Sequence, residues 1–104
     1  MKKLRDLPEL VSEGLPELVS ELPSDFSIDP STGILYHSNG SGKDIIGKVS
    51  IPENPHYSFL IYFRKFEIEK YEKYKEYGEL LNNALAGKEI AGGSVLMLAP
   101  IPRS

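Results

Sequence analysis

Residues 57–63 have the sequence Tyr57-Ser58-Phe59-Leu60-Ile61-Tyr62-Phe63, an apolar run dense in aromatic and β-branched side chains. This composition favours a β-strand. Alternate side chains of a strand lie on opposite faces: Phe59, Ile61 and Phe63 on one, Leu60 and Tyr62 on the other. Because both sets are largely apolar, we expect an interior strand whose two faces are both at least partly covered.

The charged segment that follows predicts one long amphipathic helix near residues 67–86. Tyr71, Tyr74, Gly78, Leu81 and Leu85 recur at steps of three and four residues, which is the spacing of one helix face. Glutamates and lysines occupy the positions between them, as is typical of a solvated face. Glycine costs about 1 kcal/mol against alanine in a helix interior, so Gly78 indicates that another element packs closely over this face.

The remaining elements lie on both sides of this unit. Residues 7–14 and 15–22 repeat the sequence Leu-Pro-Glu-Leu-Val-Ser-Glu and predict two short helices, or one helix kinked at the second proline. Three more strands are expected: two forming a hairpin over residues 25–37, and one at 45–51. A fifth strand is expected at 94–99.

This order of elements predicts an α+β fold in two layers. We expect a mostly antiparallel sheet of four or five strands, one long helix packed across a face, and short N-terminal helices. The length of 104 residues suits a single domain over 1–104. Residues 1–23 would be its helical segment and residues 24–104 its body.

The predicted hairpin turns at Asp29-Pro30-Ser31-Thr32-Gly33. Proline at the second turn position and a following glycine are typical of a type I turn with a bulge. The sequence Phe-Ser-Ile-Asp-Pro-x-Thr-Gly of residues 26–33 resembles the strand-turn-strand stretch of cadherin repeats. The resemblance implies the turn alone, because the aspartate-rich calcium motifs of that family are missing.

Composition excludes several classes of protein. The net charge is −3, with 40% hydrophobic and 26% charged residues, which argues against a dedicated DNA-binding face. The chain has no cysteine, so it has no disulfide and no thiolate zinc site. No apolar run approaches the ~20 residues of a membrane span, and the start lacks a signal-peptide core. We therefore expect a cytoplasmic protein without membrane contact.

The absence of glutamine, cysteine and tryptophan, with abundant Glu and Lys, is typical of a thermophilic or a designed protein.

One hypothesis is catalytic. His37 and His56 flank predicted strands and, with Lys43, could act as acid, base and anion stabiliser in a metal-independent phosphodiesterase or ribonuclease. This hypothesis places both histidines at one edge of the sheet. The loop of Gly40, Gly42 and Lys43 lacks the spacing of a phosphate-binding P-loop, but it could bind an anion weakly.

The leading hypothesis is a non-enzymatic module that binds a protein partner. Tyrosine is over-represented at interfaces, and leucine-rich helical motifs fit partner grooves. The candidate binding residues are Tyr71, Tyr74, Tyr77, Leu10 and Leu18.

Two further alternatives remain open from the sequence. One is a sheet that binds single-stranded RNA through Lys48, Tyr62, Arg64 and Lys65, because such surfaces interleave aromatic and basic residues. The other is a designed scaffold without a natural partner. We expect no cofactor and no metal, and either a monomer or a homodimer.

Overall fold

The computed structural model describes the backbone of residues 7–102 and the side chains of residues 14–102. The elements are, in order, helix α1 (Leu7–Glu21), strands β1 (Phe26–Ile28), β2 (Ile34–Asn39), β3 (Gly42–Ser50) and β4 (Tyr57–Phe63), a 3-10 turn (Ile68–Lys70), helix α2 (Tyr71–Leu85) and strand β5 (Ser94–Met97). The predicted α+β fold is confirmed. None of the helices in this part of the chain is long and apolar enough to cross a membrane.

The five strands form one sheet in the order β1-β2-β3-β4-β5. The first four pair antiparallel, as a meander of short connections should. Strand β5 instead pairs parallel to β4, because α2 carries the chain back along the sheet before β5 begins. Strand β4 therefore has a neighbour on each side, which confirms its predicted interior position.

Both helices pack on the same face of the sheet, the face that carries Phe59 and Ile61. A Cβ built on Gly14 of α1 would lie 3.1 Å from the Phe59 ring, and one built on Gly78 of α2 would lie 3.6 Å from the Phe63 ring. One core cluster joins this face to the helices; its most buried side chains are Leu18, Leu35, Ile46, Val49, Phe59, Ile61, Leu81 and Ile90. The close packing that Gly78 predicted is confirmed: a Cβ there would lie 3.2 Å from the ring of Pro100.

Helix α1 is one continuous helix rather than two. Pro16 lies inside it and lacks the N–H that would bond one turn back, so packing must offset the missing bond. Leu15 and Leu18 are buried in the core. At its C-terminal end, a Glu17 carboxylate oxygen accepts from the backbone N–H of Ala91 at 3.1 Å, which ties the helix to the loop before β5.

The β2–β3 connection is tighter than the sequence suggested. The strands predicted at 25–37 and 45–51 left residues 38–44 between them, but β2 continues to Asn39 and β3 begins at Gly42, leaving a two-residue turn. Lys43 pairs with Ser38 in this extension. Further along β3, the ladder shifts register opposite Gly47, where a Cβ would collide with the backbone carbonyl oxygen of Tyr62. The glycine thus permits the bulge to pack against β4.

Candidate functional site: the open face of the sheet

The sheet has a second face that no helix of the described residues covers, and we call it the open face. Strand alternation and register place its side chains in rows across the sheet: Tyr36 pairs with Ile45, Lys48 with Tyr62, and Leu60 with Leu96. The larger side chains of the open face are Ile34, Tyr36, Lys43, Ile45, Lys48, Leu60, Tyr62 and Leu96.

The open face is apolar at its centre, and the side chains at its margins are exposed to solvent. Leu60 and Tyr62 are half-buried by their strand neighbours, whereas Ile45 is 41% exposed and Leu98, beyond the end of β5, is 48% exposed. A connected apolar sheet surface of this kind marks an interaction site more often than a solvated face.

The charges on the open face are all positive. The Nζ atom of Lys43 lies 5.7 Å from the centre of the Tyr36 ring, within cation–π range. Lys48 lies directly opposite Tyr62. None of the outward side chains of the five strands, all within the described residues, is a carboxylate. The face is therefore cationic although the chain carries a net charge of −3.

The residues predicted for RNA binding divide between two places. The structure brings Lys48 and Tyr62 together on the open face. Arg64 and Lys65 follow the end of β4 and line a cavity of about 200 Å³ next to Ile45. The cavity thus adjoins the open face at Ile45.

The helix tyrosines are mostly core residues. Tyr74 and Tyr77 are each only 6% exposed. The Tyr74 ring stacks on Phe66 with ring centres 4.3 Å apart, and its hydroxyl donates to the carbonyl oxygen of Ile45 at 3.3 Å. Burial raises the pKa of Tyr74. These two rings have little surface to offer a partner, because they pack in the core between α2 and the sheet.

Tyr71 is placed differently. It is half-buried and lines an apolar groove of about 280 Å³ between α2 and the chain after β5, which also includes Met97, Leu98 and Pro100. Leu98 connects this groove to the edge of the open face. Tyr71 is therefore the helix tyrosine that a partner could reach.

The leucines of the N-terminal repeat are only partly visible in the structure. Leu18 is fully buried in the core, so its side chain is used to dock α1 on the sheet. The side chain of Leu10 lies outside the described residues. Leu15 and Leu18 thus dock the C-terminal half of α1 on the body.

The two histidines lie at opposite ends of the strands, so the placement of both at one edge of the sheet, on which the catalytic hypothesis depends, is wrong. His37 is level with Asp44 at one end of β3, whereas Leu60, four residues after His56, is level with Ser50 at the other end. The six-residue rise from Asp44 to Ser50 alone spans about 20 Å. The error has a simple cause: in a meander, the second strand ends where the third begins, and the fourth begins where the third ends.

The surroundings of the histidines also differ. The His37 ring stacks on Tyr77 with centres 4.2 Å apart and meets Phe26 edge-on at 4.8 Å. Its buried Nδ1 has no hydrogen-bond partner in the structure. His56 is exposed, and its backbone N–H donates to the Asn54 side chain at 2.9 Å. One imidazole is thus a packing group under α2 and the other is a surface group.

The predicted anion loop is already occupied by its own hydrogen bonds. The backbone N–H of Ser41 donates to the side-chain oxygen of Asn39 at 2.9 Å. Lys43 lies over Tyr36, and a Cβ on Gly40 or Gly42 would meet open space. The glycines therefore leave room above the turn, whereas the Ser41 N–H is already bonded within it.

Sequence reasoning missed most of the open face, although one signal was present. Leu60 and Tyr62 form the second apolar set of β4. We interpreted that set as a sign that both faces of the strand are at least partly covered. Ile34, Tyr36 and Ile45 continue it on the neighbouring strands. An apolar second face is a sign of burial or of an interface, and the sequence alone does not separate the two.

Among the described residues, no group of three or more histidine, aspartate or glutamate side chains could hold a metal ion. No protein-family model, curated protein or solved structure matches this chain.

Proposed function

We propose that this protein is a non-enzymatic module that binds a partner protein through the open face of its sheet. The observation that carries this proposal is the group of apolar side chains on neighbouring rows of a face that no described helix covers: Tyr36, Ile45, Leu60, Tyr62 and Leu96. Tyrosines set among aliphatic side chains are typical of the centre of an interface.

The charges of the open face define the kind of partner. Lys43 and Lys48 lie among its apolar side chains without a carboxylate beside them on the face, so a complementary surface is apolar with acidic residues around it. A second copy of this chain fits less well, because two open faces in contact would bring cations together. The separation of His37 from His56 supports a non-enzymatic role, since the acid–base pair of the catalytic hypothesis is not formed.

The test is capture with matched variants, followed by affinity measurement. The immobilised full chain is exposed to nuclease-treated lysate from its source cells, and the captured protein is identified, purified and titrated against each variant. Leu60→Ser on the open face should weaken binding at least about tenfold. Leu80→Ser is the control, because Leu80 is 44% exposed on α2 and lies outside the open face.

Two outcomes would contradict the proposal. Equal affinity for the wild type and Leu60→Ser, with both folded by circular dichroism, would remove the open face from the interface. A concentration-dependent dimer in light scattering that Leu60→Ser abolishes would identify the occupant as a second copy instead.

A second candidate function, binding of single-stranded nucleic acid, is favoured by the pairing of Lys48 with Tyr62 and of Lys43 with Tyr36. Bases stack on aromatic rings with about 1–3 kcal/mol each. In fluorescence anisotropy with oligo(U) and oligo(dT), Tyr36→Ala and Tyr62→Ala should then each weaken binding about fivefold or more, with a steep salt dependence. Binding that is absent at low salt would eliminate this candidate.

A further inference from the structure

The cavity beyond the end of β4 has a charge distribution of its own. Four cationic side chains and two carboxylates line it: Arg64, Lys65, Lys70, Lys73, Asp44 and Glu67. The cations come from the chain after β4, from the 3-10 turn and from α2. Chain segments distant in sequence thus converge on one small polar space with an excess of two positive charges.

Most of these cations have no acidic partner among the residues that the structure describes. Within the described residues, Arg64, Lys65 and Lys70 form no ion pair. The Arg64 guanidinium is held by backbone carbonyl oxygens: its Nη1 donates to Ile45 at 3.4 Å and its Nε to Lys65 at 3.5 Å. These long bonds orient the group and leave its remaining N–H donors available.

We propose that this cavity binds a phosphate group. A phosphate carries a charge of about −1.5 to −2 and three acceptor oxygens, which matches both the excess charge and the free donors of Arg64. A guanidinium can bind two phosphate oxygens at once, and lysines add donors around it. This site does not depend on the proposed role of the open face, because the groups that would bind phosphate, Arg64 and the neighbouring lysines, are not side chains of the open face.

Asp44 is the internal competitor at this site. Its carboxylate lies 3.5 Å from the Nζ atom of Lys73, so in the free protein it occupies one of the four cations. An incoming phosphate is repelled by Asp44 and gains Lys73 only if this pair opens. Removing the Asp44 charge should therefore strengthen phosphate binding, an effect that loss of a remote carboxylate would not produce.

The experiment is a titration of the ¹⁵N-labelled full chain with inorganic phosphate, with chloride at the same ionic strength as reference. Arg64→Gln should weaken binding about tenfold or more, the low end for losing bonds to a charged group. Lys75→Gln is the control, because it makes the same charge change on α2 beside the other groove and should change affinity less than about twofold. Asp44→Asn should tighten binding about threefold or more, and Glu76→Gln should not.

Arg64→Lys keeps the charge but loses the planar donors. It should give an intermediate affinity, and it serves as the decisive variant if Arg64→Gln does not fold. O-phospho-L-serine and adenosine monophosphate then distinguish a peptide-borne phosphate from a nucleotide, and tighter binding of either supports the site.

The proposal is overturned if phosphate shifts no more amide signals around the cavity than chloride does. It is also overturned if Lys75→Gln weakens binding as much as Arg64→Gln, because the effect would then be general electrostatics. Neither result bears on capture of a protein by the open face.

Discussion

The two faces of the sheet carry similar side chains but use them differently. On the covered face, Val49, Phe59 and Ile61 are at most 1% exposed. On the open face, Leu60 and Tyr62 are half-buried without a helix above them. A single strand, β4, supplies both sets. The difference teaches that apolar side chains on both faces of a strand do not by themselves show that the chain's own core covers both faces.

The two sides of the molecule also differ in charge. The solvated side of α2 carries both signs of charge, with Glu72, Glu76 and Glu79 beside Lys73 and Lys75, whereas the strand residues of the open face carry only cations, Lys43 and Lys48. If the proposed partner is acidic, this difference favours its approach to the sheet, and it affects the rate and orientation of encounter more than the final affinity.

The largest expected effect separates the two faces within one strand. Ile61→Ala removes a fully buried side chain and should lower the free energy of unfolding by about 2–5 kcal/mol. Leu60→Ala, at the next residue but on the open face, should cost about 1 kcal/mol or less. Urea unfolding of both variants makes the comparison. Similar losses for the two would show that the open face is core.

A smaller effect is expected from the glycines of β3. In Gly47→Ala, the new Cβ collides with the Tyr62 carbonyl oxygen and lies 3.1 Å from the Phe63 Cα atom. Because backbone atoms cannot move aside cheaply, the variant should lose roughly 1–3 kcal/mol. Gly42→Ala in the same strand meets open space and should change stability by at most about 0.5 kcal/mol. Thermal melts that rank the two in reverse order would refute the account of the bulge.

The fold could be predicted largely because local signals agree with one another. The alternation of residues 57–63, the stripe of Tyr74, Gly78 and Leu81, and the turn ending in Gly33 each specify an element without reference to the others. Gly33 adopts the positive φ of 79° that this turn requires. The continuous α1 was harder to predict, because packing of Leu15 and Leu18 offsets the missing bond of Pro16.

The candidate site could be predicted only in fragments. Lys48 and Tyr62 were predicted as two of the RNA-binding candidates, because such surfaces interleave basic and aromatic residues. The pairing of Tyr36 with Ile45 on the same face depends on the β2–β3 register, which the turn at residues 40–41 sets and composition does not reveal. The convergence of Arg64 with Lys73 likewise depends on how α2 packs across the sheet.

A third prediction concerns how α1 approaches the covered face. A Cβ on Gly14 would lie 2.8 Å from the Cβ of Ala91 and 3.1 Å from the Phe59 ring, so Gly14→Ala should cost about 1–2 kcal/mol. Ala91 has a positive φ of 54°, a conformation that glycine adopts without strain. Ala91→Gly should therefore be nearly neutral alone and should recover part of the Gly14→Ala loss.

The double variant tests this coupling. A double-mutant cycle from chemical unfolding should give a favourable interaction of about 0.5–1 kcal/mol, as expected for residues in contact. Strict additivity would show that Gly14 is needed for a reason other than its contact with Ala91.

The smallest expected effect is the part of the pH dependence of stability that Asp44 causes. This carboxylate belongs to β3, where it precedes Ile45 of the open face. A hydrogen bond from the Asn39 side chain, and next the charge of Lys73, lower its pKa. A pKa lowered by folding gives stability that is present above the unfolded value of about 4 and is lost as the pH falls through the folded value. The residue is exposed, so the loss should be slight and should weaken with salt.

An acid titration followed by carboxyl ¹³C NMR should place the Asp44 midpoint below its ordinary value. Asn39→Ala should raise that midpoint more than Lys73→Gln does, because the amide hydrogen bond is the larger cause. A midpoint at the ordinary value in the wild type would contradict the hydrogen bond. The opposite order of the variants would show that the charge of Lys73, rather than the Asn39 hydrogen bond, is the larger cause of the lowered pKa of Asp44.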